Sequence, residues 1–237
     1  MIFNRAKQAN FIRNIPTISA GARRSLLAAL AIVSLGLVTA ASAQTKSTVP
    51  DKIAPVSATP AAAAASVKTA ATNPQVSVKT SMGEIVIELY PEKAPATVKN
   101  FLTYAQAGFY NGTIFHRVMR NFMIQGGGMT KDMKQKTTRA PIELESQNGL
   151  RNDIGWVSMA RTGAPDSATA QFFINTVDNP SLNYPAPDGH GYAVFGKVVK
   201  GLEVVNLIRE VQTIGIGPHS NVPASPITID SIKLIGS

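Results

Sequence analysis

Beyond residue 75 no single periodicity lasts: short apolar runs are cut off repeatedly by glycine and proline. Such punctuation argues against regular strand–helix alternation and for many short strands. The opening reads as a hairpin, with Val76 and Val78 before a turn at Ser81-Met82-Gly83 and then Ile85, Ile87 and Leu89 in alternation. Pro95 suits a first helical position, Val98, Phe101, Leu102 and Ala105 share a helical face, and Gly108 ends it. A second helix is expected from about Leu202 to Val211, with Val204, Leu207, Ile208 and Val211 inward. Strands are expected at Phe122 to Gln125, Trp156 to Ala160, Gln171 to Asn175, Ala193 to Val199 and Ile227 to Leu234. Together these predict a mainly β domain, a closed or nearly closed antiparallel sheet with helical caps.

That domain occupies residues 76–237 and is preceded by two unlike segments. Residues 1–43 carry five basic residues and no acid, and after Arg23-Arg24 an uncharged, mostly apolar run ends in Ala41-Ser42-Ala43. This reads as a secretory signal peptide cleaved before Gln44, routing the chain to the periplasm. The alternative is an uncleaved anchor holding it at the outer face of the inner membrane, since the 21 uncharged residues between Arg24 and Lys46 could span a bilayer. The paired arginines also resemble a twin-arginine export signal faintly. Residues 44–75, rich in alanine, proline and threonine, lack aromatic residues and read as a disordered linker.

The formal charge of +9 belongs mostly to the amino-terminal segments. A nearly neutral domain lacks the electrostatic footprint of a nucleic-acid binder. Without cysteine there is no thiol chemistry or zinc-thiolate site, and His116, His190 and His219 are too scattered to propose a metal site. No cofactor is expected. Gly126-Gly127-Gly128 lacks the spacing of a dinucleotide loop and fits a backbone bend or a close chain approach.

One region stands apart. In a strand through Phe122 to Gln125, Met123 and Gln125 share a face while Ile124 turns away; in Gln171 to Ile174, Gln171 and Phe173 share a face with Phe172 and Ile174 behind. An apolar patch with a few amide donors suits a neutral, partly apolar ligand, although an ordinary amphipathic sheet would show the same spacing.

These segments, together with Phe115-His116-Arg117-Val118, Met159-Ala160-Arg161-Thr162, Asp166 to Ile174 and Gly191 to Val198, resemble the cyclophilins, the cyclosporin-binding peptidyl-prolyl isomerases. The resemblance spans about residues 76 to 234 and is nearest the bacterial periplasmic branch. It implies an eight-stranded antiparallel barrel capped by two α-helices, with proline-containing polypeptides as partners. It also implies that Arg117 is catalytic and that Phe122, Met123, Gln125, Ala160, Gln171, Phe173 and Leu182 line a proline pocket; beside them the main chain at Ala160 and Arg161 is expected to anchor neighbouring carbonyls, and Tyr192 either closes the pocket edge or serves as core. The chain departs from many eukaryotic members, which have tryptophan at Ser181, histidine at Tyr192 and asparagine at Arg161. Losing the tryptophan, an indole donor to the drug, speaks against tight cyclosporin binding.

The chemistry is consistent with these residues. X-Pro rotation breaks no covalent bond; it needs a twisted state stabilised, in which the lone pair localises on the prolyl nitrogen. A guanidinium beside a dry apolar pocket binds that state better than the planar one. A monomer suffices, and the alternative to catalysis is a proline-binding module or holdase.

Overall fold

The computed structural model describes residues 73–236. The segment assigned to a signal peptide, and all but the last residues of the expected linker, lie outside the described residues. Strand β1 (Gln75–Thr80) and β2 (Gly83–Leu89) form the opening hairpin, pairing Val76 with Ile87 and Val78 with Ile85, all fully buried. Helix α1 (Pro95–Gln106) follows, then β3 (Thr113–Met119), β4 (Met123–Thr130), β5 (Trp156–Met159) and β6 (Phe172–Asn175). A 3-10 turn (Pro180–Leu182) leads to β7 (Val194–Lys200), helix α2 (Leu202–Arg209), the hairpin β8 (Thr213–Ile216) and β9 (His219–Pro223), and β10 (Thr228–Gly236). Eight strands close a barrel in the order β1, β10, β3, β4, β6, β5, β7, β2, every pairing antiparallel, while β8 and β9 form a separate two-stranded sheet.

The barrel is packed solid rather than hollow. Phe101 of α1 enters its interior and meets the rings of Tyr110, Phe172 and Phe195 at centroid distances of 5.3, 5.5 and 5.1 Å. From α2, Val204, Val205 and Ile208 join the same core. Each fully buried side chain of this size contributes about 2–3 kcal/mol. Ala94 gives α1 no side-chain cap; instead the amides of Ala96 and Thr97 donate to the Glu145 carboxylate at 3.0 and 2.8 Å, an anion where the helix dipole favours one.

The structure departs from the expected pattern in three places. Helix α2 ends at Arg209, and Leu207, expected inward, is 57% exposed while Val205 takes the buried position. Strand β3 escapes period-2 detection because Thr113, Ile114, Phe115 and His116 are all buried, both faces being covered. The β8–β9 hairpin escapes it because Ile214 and Ile216 are exposed.

The three glycines lie inside β4, where a Cβ at 126 or 127 would collide with the rings of Phe115, Phe172 and Tyr110, and one at 128 with the Gln171 side chain. Gly127 has φ +82°, and a Cβ there would lie 2.8 Å from Phe172 and 2.9 Å from Tyr110. Gly127→Ala therefore meets both left-handed strain and overpacking, and is expected to lower stability by roughly 2–4 kcal/mol in urea denaturation. An unchanged midpoint would mean the rings move aside freely.

Candidate active site

Arg117 reaches the site because β3 is irregular. Phe115 faces Gly126 and Arg117 faces Gln125, so β3 advances two residues while β4 advances one, and His116 is the extra residue of a bulge. Strict alternation would put Arg117 on the same side as Phe115, inside the core. The bulge turns it onto the outer face.

On that outer face the alternation of β4 and β6 separates two apolar clusters. Ile124, Phe172 and Ile174 belong to the barrel core, whereas Met123, Phe173 and Leu182 form a second cluster with Met119, Phe122, Ala160 and Tyr192 packed against it. This cluster floors a hollow of about 90 Å³ lined by Arg117, Phe122, Met123, Gln125, Ala160, Arg161, Phe173, Leu182 and Tyr192. Nine of the ten residues anticipated from the sequence thus meet in one place. The tenth, Gln171, sits beside it: Gln125 Nε2 donates to Gln171 Oε1 at 2.9 Å, and Arg117 Nη1 stands 3.5 Å from Gln125 Oε1. This arrangement aims the Gln125 carbonyl at the guanidinium. Among the described residues no carboxylate lies within ion-pair distance of Arg117, so its charge remains available to a ligand.

The walls are held from behind by a polar network that was not apparent in the sequence. Asn179 Nδ2 donates to the Phe122 carbonyl at 2.8 Å and to Asn175 Oδ1 at 2.7 Å. Asn175 donates to the Trp156 carbonyl, and Ser158 Oγ and Asn152 close the network, with Asn152 Nδ2 donating to the Leu182 carbonyl at 3.2 Å. These groups are buried, where an unpaired amide would be costly. The only hint in the chain is asparagine at 175, 179 and 183, spaced by four.

His116 is 6% exposed, and burial first, then the nearby charges of His219 and Arg117, lowers its pKa from 6.5 to about 4. At neutral pH it is uncharged. Among the described residues no group of three histidine, cysteine, aspartate or glutamate side chains is placed to hold a metal.

Residues 75–234 match the family model described as cyclophilin type peptidyl-prolyl cis-trans isomerase/CLD. The chain belongs to that family, whose members isomerise the peptide bond preceding proline. It is 56% identical over 166 residues to peptidyl-prolyl cis-trans isomerase A of Dickeya dadantii, covering 70% of this chain and 87% of that one. It is 54% identical over 161 residues to peptidyl-prolyl cis-trans isomerase B of Escherichia coli, covering 67% of this chain and 98% of the relative. Among solved structures, a cyclophilin-type isomerase of Cryptosporidium parvum superposes with a TM-score of 0.58 at 28% identity, over 70% of this chain and 99% of that one. The same Cryptosporidium protein has also been crystallised in the presence of the dipeptide Ala-Pro.

The buried histidine makes stability depend on pH. The unfolded chain takes up the imidazole proton near pH 6.5 and the folded chain only near pH 4. Stability from this group is therefore full above 6.5 and is lost as pH falls between those values, by a total of roughly 3 kcal/mol. Urea midpoints measured from pH 7 to 4.5 should fall along this limb, and His116→Gln should flatten it.

Proposed function

We propose that the Arg117 hollow is the catalytic site, and that the enzyme works on X-Pro bonds of exported polypeptides to assist their folding. The proline ring enters the hollow against Phe122, Met123 and Phe173 and leaves water behind. Gln125 and the main chain at Ala160 and Arg161 hold the flanking carbonyls. As the peptide bond twists, conjugation is lost and the prolyl nitrogen becomes a hydrogen-bond acceptor that the planar amide does not offer. Arg117 donates to it, so the interaction is stronger in the transition state than in either planar state. No proton is transferred, and the neutral His116 is not needed as acid or base.

A single observation carries this reading: a guanidinium that has no carboxylate within ion-pair distance among the described residues lines a small hollow floored by Met123, Phe173 and Leu182. One charged hydrogen bond contributes about 1.5–3 kcal/mol, or one to two powers of ten in rate. Arg117→Ala is therefore expected to lower kcat about 10- to 100-fold in a proline-peptide isomerisation assay while peptide affinity changes little. Equal rates in the two proteins would end the assignment.

Export rests on residues 1–43 and their small-residue ending. Protein isolated from the cell envelope is expected to begin at Gln44; a chain still starting near Met1 in the cytoplasm would overturn export. Cyclosporin is expected to bind weakly, because exposed Ser181 offers no indole donor. Ser181→Trp should tighten binding about tenfold by titration calorimetry.

A further inference from the structure

Arg161 lines the hollow, yet its side chain is only 1% exposed and its guanidinium is fully engaged with the protein itself. Nη2 donates to both Asp188 oxygens at 2.8 and 2.7 Å, Nε to the Gly191 carbonyl at 2.9 Å, and Nη1 to the Thr162 carbonyl at 3.0 Å. Its face lies 4.6 Å from the centroid of the Tyr192 ring, and that ring stands edge-on to Phe173 at 5.6 Å. Tyr192 is thus clasped between the guanidinium and the floor of the hollow. The solvent-accessible part of residue 161 is its main chain, since the residue as a whole is partly exposed.

We propose that Arg161 and Asp188 form a latch that fixes the Tyr192 wall of the proline hollow, making Arg161 a positioning residue for substrate binding. The proposal rests on the assignment of that hollow as the proline site. Arg161 follows β5, whereas Asp188 and Gly191 lie on the loop leading into β7, so the latch ties two separate walls together. The loop has little freedom to compensate. Gly191 has φ +68°, and a Cβ there would meet the Tyr184 amide nitrogen at 2.6 Å. Tyr192 N donates to the Leu182 carbonyl at 3.0 Å, and the Ser146 hydroxyl donates to the His190 carbonyl. Only a planar fork with several donors can serve an aspartate, two carbonyls and an aromatic face at once; a lysine ammonium cannot. The hydrogen bonds from Arg161 hold the Asp188 carboxyl below its ordinary range, which reports the same coupling from the other partner. Because Asp188 compensates the charge, the latch shapes the hollow without presenting a second cation to the peptide.

The test uses protein isolated from expressing cells, with a proline-peptide isomerisation assay read as KM and kcat separately. Asp188→Asn, at an exposed position, and Arg161→Lys are each expected to raise KM about two- to tenfold, the cost of ordering one released side chain, with kcat within about twofold. Asp188→Glu should recover most of the loss, and Asp188→Asn combined with Tyr192→Ala should lose no more than Tyr192→Ala alone. A folded Asp188→Asn protein with unchanged KM, a loss confined to kcat, or additive losses in the double variant would each overturn the latch. Should Arg161→Lys fail to fold, the Asp188 variants decide the matter. A wild-type rate no higher than background would instead overturn the site assignment beneath it.

Discussion

The site depends on one irregularity in one strand. By inserting His116 between Phe115 and Arg117, β3 changes the side to which the next residue points. A cation that regular pairing would drive into the barrel emerges beside Met123 and Phe173 instead. Burying that charge without a partner would be prohibitive, so the bulge and the outward arginine require one another. The extra residue must itself be accommodated under cover, and a neutral imidazole meets that demand where a charged side chain would not.

The rest of the molecule keeps this geometry from drifting. Alternation along β4 and β6 assigns Ile124, Phe172 and Ile174 to the barrel interior and Met123 and Phe173 to the hollow, so one pair of strands builds both the core and the site floor. Behind the floor, the asparagine network grips main-chain carbonyls, Phe122 on one side and Leu182 on the other. Carbonyls are fixed points of the backbone, so the wall positions do not depend on side-chain rotamers. The solid core and the satisfied buried amides together fix the walls of the hollow.

Much of this is legible in the sequence, and each illegible part has its own physical cause. The hairpin of Val76, Val78, Ile85 and Ile87, helix α1 and the two-faced runs at 122–125 and 171–175 follow from periodicity because each has one face buried and one in a different environment. Strand β3 has no such contrast: it is covered on both sides, and its bulge breaks the period where Arg117 sits. Leu207 was misplaced because a short helix offers two apolar stripes, and contact with the barrel selects Val205. Nine of the site residues could be grouped from the family resemblance, but not the partners that set them, since Asn152, Asn179 and Asp188 lie far from the residues they hold and become neighbours only when the barrel closes. Arg161 shows the limit most clearly, because its identity in the sequence says nothing about its charge being spent internally.

Many barrels lodge their ligands in the lumen, where the opening restricts what can enter. Here the lumen is filled by Phe101 and its aromatic neighbours, and the hollow proposed as the site lies on the outer wall. With the proline in that hollow, a polypeptide need not present a free end or thread through a mouth: an accessible bend is laid against the wall while its flanking chain runs off on both sides. On the proposed assignment size selection is given up, and a client of any length, including one already partly folded, is served at an internal position.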